Sequence, residues 1–231
     1  SDFAQTTSFI HEVSGGRFTF GVGVSHAPAM DRLGVTQGKP LSDMRDFVEN
    51  WRAVPRAGEL PPLMLATLRK RMIKLSEGIA EGMVFANGAR SHMADSLAVL
   101  GDASRGGDEF FIGNMIPTCI TDDVEAAKAV NRRTLTGYAM LPNYRNYWKE
   151  AGYVEEMAAV EAKMAAGDHK TIGECLSDRW LADTTLFGSA TDVRDGIEAW
   201  FDAGIKTPII VPSSANGNQL VAIEEFFALY E

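Results

Sequence analysis

Continuous apolar runs alternate with stretches of helical periodicity along this chain, and no other feature of the sequence constrains the fold as much. Phe18 to Val24, Pro61 to Thr67, Gly82 to Ala86, Glu109 to Ile116 and Thr207 to Pro212 each read as a short strand buried on both faces, as in parallel sheets. Helical segments lie between them. Phe3 to Val13 ends at Ser14-Gly15-Gly16, whose glycines suit a left-handed cap. Leu41 to Val54 repeats apolar residues at helical spacing, as does the run of Met72, Ile73, Leu75, Ile79 and Ala80. Met93 to Leu100 is a short helix, and Thr121-Asp122-Asp123 caps one running from Val124 to about Met140. Periodicity continues past Leu141-Pro142-Asn143 to about Leu181; Thr191-Asp192 caps Val193 to Ala203, and Asn218 to Tyr230 closes the chain. The expectation is an α/β fold with a parallel sheet covered by helices. Without an interior linker or repeat, residues 1–231 read as one domain. The block from Val124 to Leu181 is too long for a simple crossover, so an insertion over one end of the sheet is expected.

Charge narrows the partners. Lys and Arg number 22 against 31 Asp and Glu, a net charge of −9, which repels nucleic acid and anionic membrane unless a local basic patch overrides it. No apolar run is long enough to cross a bilayer, and Ser1-Asp2-Phe3-Ala4-Gln5 has neither the basic nor the apolar region expected of an export signal. Cys119 and Cys175 lie far apart, outside any CxxC or metal-ligand spacing, and are expected to be reduced thiols of a cytoplasmic protein. There is no GxSxG elbow, HExxH, Walker loop or clustered carboxylate pair. Covalent, metal-dependent and phosphoryl-transfer catalysis lack their usual carriers, and no metal site is expected.

In parallel α/β folds ligands gather at the carboxyl ends of strands, so the residues after each strand are the candidates. Ser25-His26-Ala27-Pro28 follows the first. His26 there is suited to proton transfer or to donating to a ligand oxygen, although a loop histidine bonded to backbone has the same sequence. Thr67-Leu68-Arg69-Lys70-Arg71-Met72 leads from the second strand into a helix. Cations at a helix start oppose its dipole unless an anion binds there, which points to a phosphate; a solvated basic turn is the alternative. Asn87-Gly88-Ala89-Arg90-Ser91-His92, Asn114 and Thr118 are weaker polar candidates. Gly21-Val22-Gly23 lies inside a strand rather than at a turn, so it is no dinucleotide fingerprint and marks close approach instead. Tyr138, Tyr144, Tyr147, Trp148 and Tyr153 either roof a pocket or pack helices. A phosphate site and one histidine suit a protein whose chemistry belongs to a bound cofactor.

Several of these segments together resemble the luciferase-like flavin-dependent oxidoreductases. Glu12-Val13-Ser14-Gly15-Gly16-Arg17-Phe18 followed by Gly21-Val22-Gly23-Val24-Ser25-His26 is similar to that family's SGGRF signature. Pro62 to Gly82, Gly188-Ser189-Ala190-Thr191-Asp192-Val193 and Ala203-Gly204 resemble later family segments more loosely. Lys39-Pro40-Leu41-Ser42-Asp43-Met44 and Leu141-Pro142-Asn143-Tyr144 look like features of a deazaflavin-dependent subgroup. The resemblance implies a TIM-barrel-like (β/α)8 fold binding FMN or the deazaflavin coenzyme F420, with a small organic substrate and a homodimeric state. It implies a monooxygenase or dehydrogenase, or else a non-catalytic flavin-binding protein. Position by position, it puts Leu68 and Arg69 on the cofactor phosphate with Thr67 and Met72 beside them. Gly23, Val24 and Ser25 fall along the cofactor, and His26 falls at a proton-donor position. Arg69 departs from the family's small residue. Three βα units normally precede SGGRF, so the sequence is expected to be an incomplete record of a longer chain, with a reduced relative as the alternative.

Overall fold

The computed structural model describes residues 2–36 and 38–230. Its contacts divide the chain into two compact units, Ser1–Val84 with Ser96–Ile112, and Phe85–Asp95 with Gly113–Glu231.

The first unit carries, in chain order, α1 (Asp2–Val13), β1 (Phe20–Val22), α2 (Ala27–Arg32), α3 (Pro40–Arg52), β2 (Leu63–Thr67), α4 (Lys70–Ile79) and the start of β3 (Gly82–Ala86). The short α5 (Met93–Leu97) straddles the division and α6 (Asp102–Gly106) follows it. Helix α1 stops where expected: Gly15 and Gly16 take φ of 64° and 77°, and the Gly16 N–H donates to the His11 carbonyl. Strand β1 runs parallel to β2 in the register Phe20↔Leu63, Gly21↔Met64, Val22↔Leu65. Alternation along β2 sends Leu63 and Leu65 into a core with Ala4 of α1, Met44, Val48 and Trp51 of α3, and Leu75 of α4. The Trp51 indole donates to Thr7 Oγ1 at 3.2 Å, so the largest side chain of this core keeps its one polar atom paired. β3 joins β2 through the Glu81 N–H and the Leu63 carbonyl.

The second unit holds the end of β3, then β4 (Phe111–Ile120) from Gly113 onward, α7 (Val124–Ala139), α8 (Pro142–Glu150), α9 (Val154–Ala165), α10 (Asp178–Thr184), β5 (Leu186–Gly188), α11 (Ala190–Asp202), β6 (Thr207–Pro212) and α12 (Gln219–Phe227). β4 runs parallel to β6 over Gly113–Thr118 and parallel to β5 over Thr118–Ile120. The sequence places the end of this strand at Ile116, before Pro117. It continues to Ile120, because proline removes one donor but leaves its carbonyl and both flanking residues free to pair. β5 is absent from the sequence reading; three residues carry too little periodicity to register. The cap of α11 also differs from expectation. Ser189, not Thr191-Asp192, caps it: its hydroxyl accepts from the Asp192 N–H, and the Asp192 carboxylate accepts from the Ser189 N–H. Trp148 of α8 and Trp180 of α10 are fully buried and meet edge to face at 4.7 Å, so the long helical block builds an aromatic core of its own. Among the described residues no helix is long and apolar enough to cross a membrane.

Candidate functional site

The parallel register of β1 and β2 decides where their ends emerge. Extending it by one residue sets Gly23 against Ala66, and a Cβ on Gly23 would stand 2.8 Å from the Ala66 Cβ. Only glycine fits, so Gly23-Val24-Ser25 and Thr67-Leu68 leave the sheet side by side. Ser25 then takes φ of 61°, a left-handed backbone that L residues avoid and that tends to survive where function needs it. The turn makes His26 the N-cap residue of α2, its carbonyl accepting from the Ala29 and Met30 N–H groups at 2.9 and 3.1 Å. Its side chain does not cap the helix, and the residue is half-buried.

At the end of β2, Thr67 is 5% exposed and its Oγ1 has no hydrogen-bond partner. A buried hydroxyl left unpaired costs about 1–3 kcal/mol, which marks it as a position where a ligand atom would be welcome. Leu68 and Met72 are half-buried. Arg69 is the exposed N-cap of α4 in extended conformation, no side chain caps this helix start, and its first turn contains cations and no acid. These features fit a phosphate: the helix start supplies N–H donors and partial positive charge, Arg69, Lys70 and Arg71 supply full charge, and no acidic residue lies in the first turn.

The second unit has its own polar network, built on the turn after β3. Asn87 adopts φ of 57°, the Gly88 N–H donates to Asn114 Oδ1 at 3.1 Å, and the Ala89 N–H donates to the Tyr147 hydroxyl at 3.0 Å. The Trp148 indole donates to the Asn87 carbonyl at 3.2 Å. Asp183 of α10 accepts from the Ser91 N–H, the Ser91 hydroxyl and the Tyr153 hydroxyl at 2.8, 2.7 and 2.7 Å. Tyr144, Tyr147, Trp148 and Tyr153 are thus buried packing and bonding groups of this unit. Sequence reasoning missed Asp183, which lies 92 residues from Ser91 with no local pattern to connect them.

Burial, and then the hydrogen bond to Asp183, push the Tyr153 hydroxyl above its ordinary pKa; burial followed by Tyr138 does the same for Tyr144. Because these folded-state pKa values are raised, the stability they contribute is present below the unfolded tyrosine value of about 10 and is lost as pH rises above it. In an absorbance titration, Tyr144 and Tyr153 of the five tyrosines should ionise only as the protein unfolds. Reversible ionisation of all five below pH of about 11, with the fold intact, would contradict this.

Parallel strands with helical connections, a glycine-tight pair of strand ends and an uncapped basic helix start define an α/β protein with a parallel sheet. The luciferase-like monooxygenase family model matches residues 1–207, and the chain belongs to that family. It is 22% identical to a 5,10-methylenetetrahydromethanopterin reductase of Archaeoglobus fulgidus, over 96% of this chain and 76% of that protein. Among solved structures, it resembles the coenzyme F420-dependent tetrahydromethanopterin reductase of Methanopyrus kandleri, with a TM-score of 0.71, 15% identity, and 99% and 79% of the two chains covered. An F420-dependent secondary alcohol dehydrogenase, in complex with an F420-acetone adduct, is similar at a TM-score of 0.69 and 15% identity, covering 98% and 73%. The fold is therefore the TIM-barrel-like α/β fold of this family.

Proposed function

We propose that this protein is an oxidoreductase of a small organic substrate whose cofactor is a deazaflavin or FMN, held by its phosphate at the start of α4. The observation that carries the proposal is that start: an uncapped, acid-free, cationic helix N-terminus directly after a buried Thr67 hydroxyl without a partner. The two F420-dependent relatives favour the deazaflavin of the two. When bound, such a cofactor supplies hydride chemistry that side chains cannot.

The protein's own residues bind and orient. Helix N–H groups and Arg69 neutralise the phosphate, Thr67 Oγ1 gains a partner, and Leu68 and Met72 present apolar surface beside it. Gly23 keeps the end of β1 flat enough for close approach, and the strained turn at Ser25 fixes the position of His26. The His26 imidazole is the proton carrier, an acid–base group set at the carboxyl end of β1.

Titration of the purified protein with FMN and with F420, followed by absorbance and fluorescence, tests the proposal. Saturable binding of one of them, weakened by inorganic phosphate, is expected, and absence of binding to both would overturn it. His26→Ala should keep cofactor affinity within about threefold while lowering turnover by about 10²–10⁴-fold. Cofactor binding with no turnover of reduced F420 or FMN by the wild type would make the chain a binding protein.

A further inference from the structure

One stripe of helix α4 changes character along its length. Arg71, Lys74, Leu75, Gly78 and Ile79 recur at helical spacing, so they share a side of the helix, with the cations in its first half and the apolar residues and glycine in its second. Leu41 and Arg45 of α3, one turn apart, complete the lining, and the two helices enclose a groove of about 360 Å³. That volume suits a small ligand with an ionic head and an apolar tail.

Charge fixes the sign of the head. The groove is lined by three cations and no carboxylate, in a chain with 22 basic and 31 acidic residues. Lys74 pairs with Glu77, whose carboxylate also accepts from the Gly101 N–H, whereas Arg45 and Arg71 have no ionic or hydrogen-bonding partner among the described residues. A guanidinium is a fork shaped for a carboxylate, and the positive end of the α4 dipole lies at the same end of the stripe. The other end is open: a Cβ on Gly78 would meet nothing within 4 Å. Glycine inside a helix costs stability relative to alanine, and no neighbour within the chain requires this one. It leaves bare backbone as a floor on which an extended chain can lie.

We propose that the α3–α4 groove binds a single-chain amphiphile with a carboxylate head, a medium-chain fatty acid in chemical terms. The carboxylate meets Arg45 and Arg71, and the alkyl chain runs over Gly78 between Leu41 on one wall and Leu75 and Ile79 on the other. A bare inorganic anion would leave the apolar lining unused. A cationic amphiphile would face two guanidinium groups, and a nucleotide base would find no aromatic side chain to stack on. Arg71 also stands among the cations at the start of α4 assigned above to the cofactor phosphate, so Arg45 is the residue whose charge tests this groove.

Calorimetric titration of the full chain with octanoate, decanoate, 1-octanol and octylamine tests this with no cofactor present, so its outcome is independent of the flavin reading. Octanoate should bind at one site, and decanoate about three- to tenfold more tightly, because two further methylenes leave water. Octanol and octylamine should bind at least about threefold more weakly than octanoate. Gly78→Leu fills the floor of the groove and should weaken decanoate at least about tenfold, while the thermal midpoint stays at or above that of wild type because leucine is the better helix former. Arg45→Glu should weaken octanoate about fivefold and leave octanol unchanged. Absence of saturable binding by either acid, or octanol bound as tightly as octanoate, would overturn the proposal. So would acid binding that neither variant weakens, which would place the acid elsewhere on the chain.

Discussion

Asp183→Ala is expected to destabilise the protein by about 3–5 kcal/mol, a fall in Tm on the order of 10 °C. Asp183 is 9% exposed, and its carboxylate accepts three hydrogen bonds, from the Ser91 N–H, the Ser91 hydroxyl and the Tyr153 hydroxyl. Removing it strands three donors, and a buried donor without a partner costs about 1–3 kcal/mol, less where water reaches it. Asp183→Asn keeps one acceptor oxygen and should cost clearly less, because only the donors facing the new amide NH2 lose their partner. Chemical and thermal unfolding measure both. A cost below about 1 kcal/mol for the alanine variant would mean that the turn after β3 finds other partners.

Arg69→Glu should affect binding far more than stability. An acidic residue at a helix start favours the dipole by about 0.3–1 kcal/mol, which offsets part of what the loss of the Arg69 side chain's own interaction costs, so the protein without cofactor should stay within about 1 kcal/mol of wild type. Affinity for FMN or F420 should fall by about 10²-fold, because a carboxylate then faces the phosphate in place of a guanidinium. A variant that loses stability and keeps its affinity would locate the phosphate elsewhere. Arg69 is exposed, so solvent relaxes part of the charge reversal and the binding loss is smaller than for a buried site.

The regular elements were legible because their signals are local. Ser14-Gly15-Gly16 stopped α1 through two positive φ angles, and Gly82 to Ala86 formed β3 over the span read from its apolar run. Asn218 caps α12 with its own side chain, which accepts from the Leu220 and Val221 N–H groups. Errors arose where a local signal was weak or was outvoted. A three-residue β5 has no pattern, Pro117 reads as a strand end but lies inside β4, and Ser189 took the cap from Thr191-Asp192 because its hydroxyl reaches the third residue of the helix.

The candidate site divides along the same line. From the sequence alone came the residue types after each strand: a histidine after β1 and a threonine with three cations after β2. The α/β class also came from it, since buried strands and amphipathic helices are written in the period of the apolar residues. Tertiary structure alone decided that Gly23 is pressed against Ala66, that the Thr67 hydroxyl is buried without a partner, and that Asp183 holds the turn at Ser91. Capping and periodicity act within one or two turns of chain and so leave a mark in neighbouring residues. A close approach, an orphaned hydroxyl or a hydrogen bond spanning 92 residues depends on which segments pack together, and that is settled by burial and strand register across the whole fold.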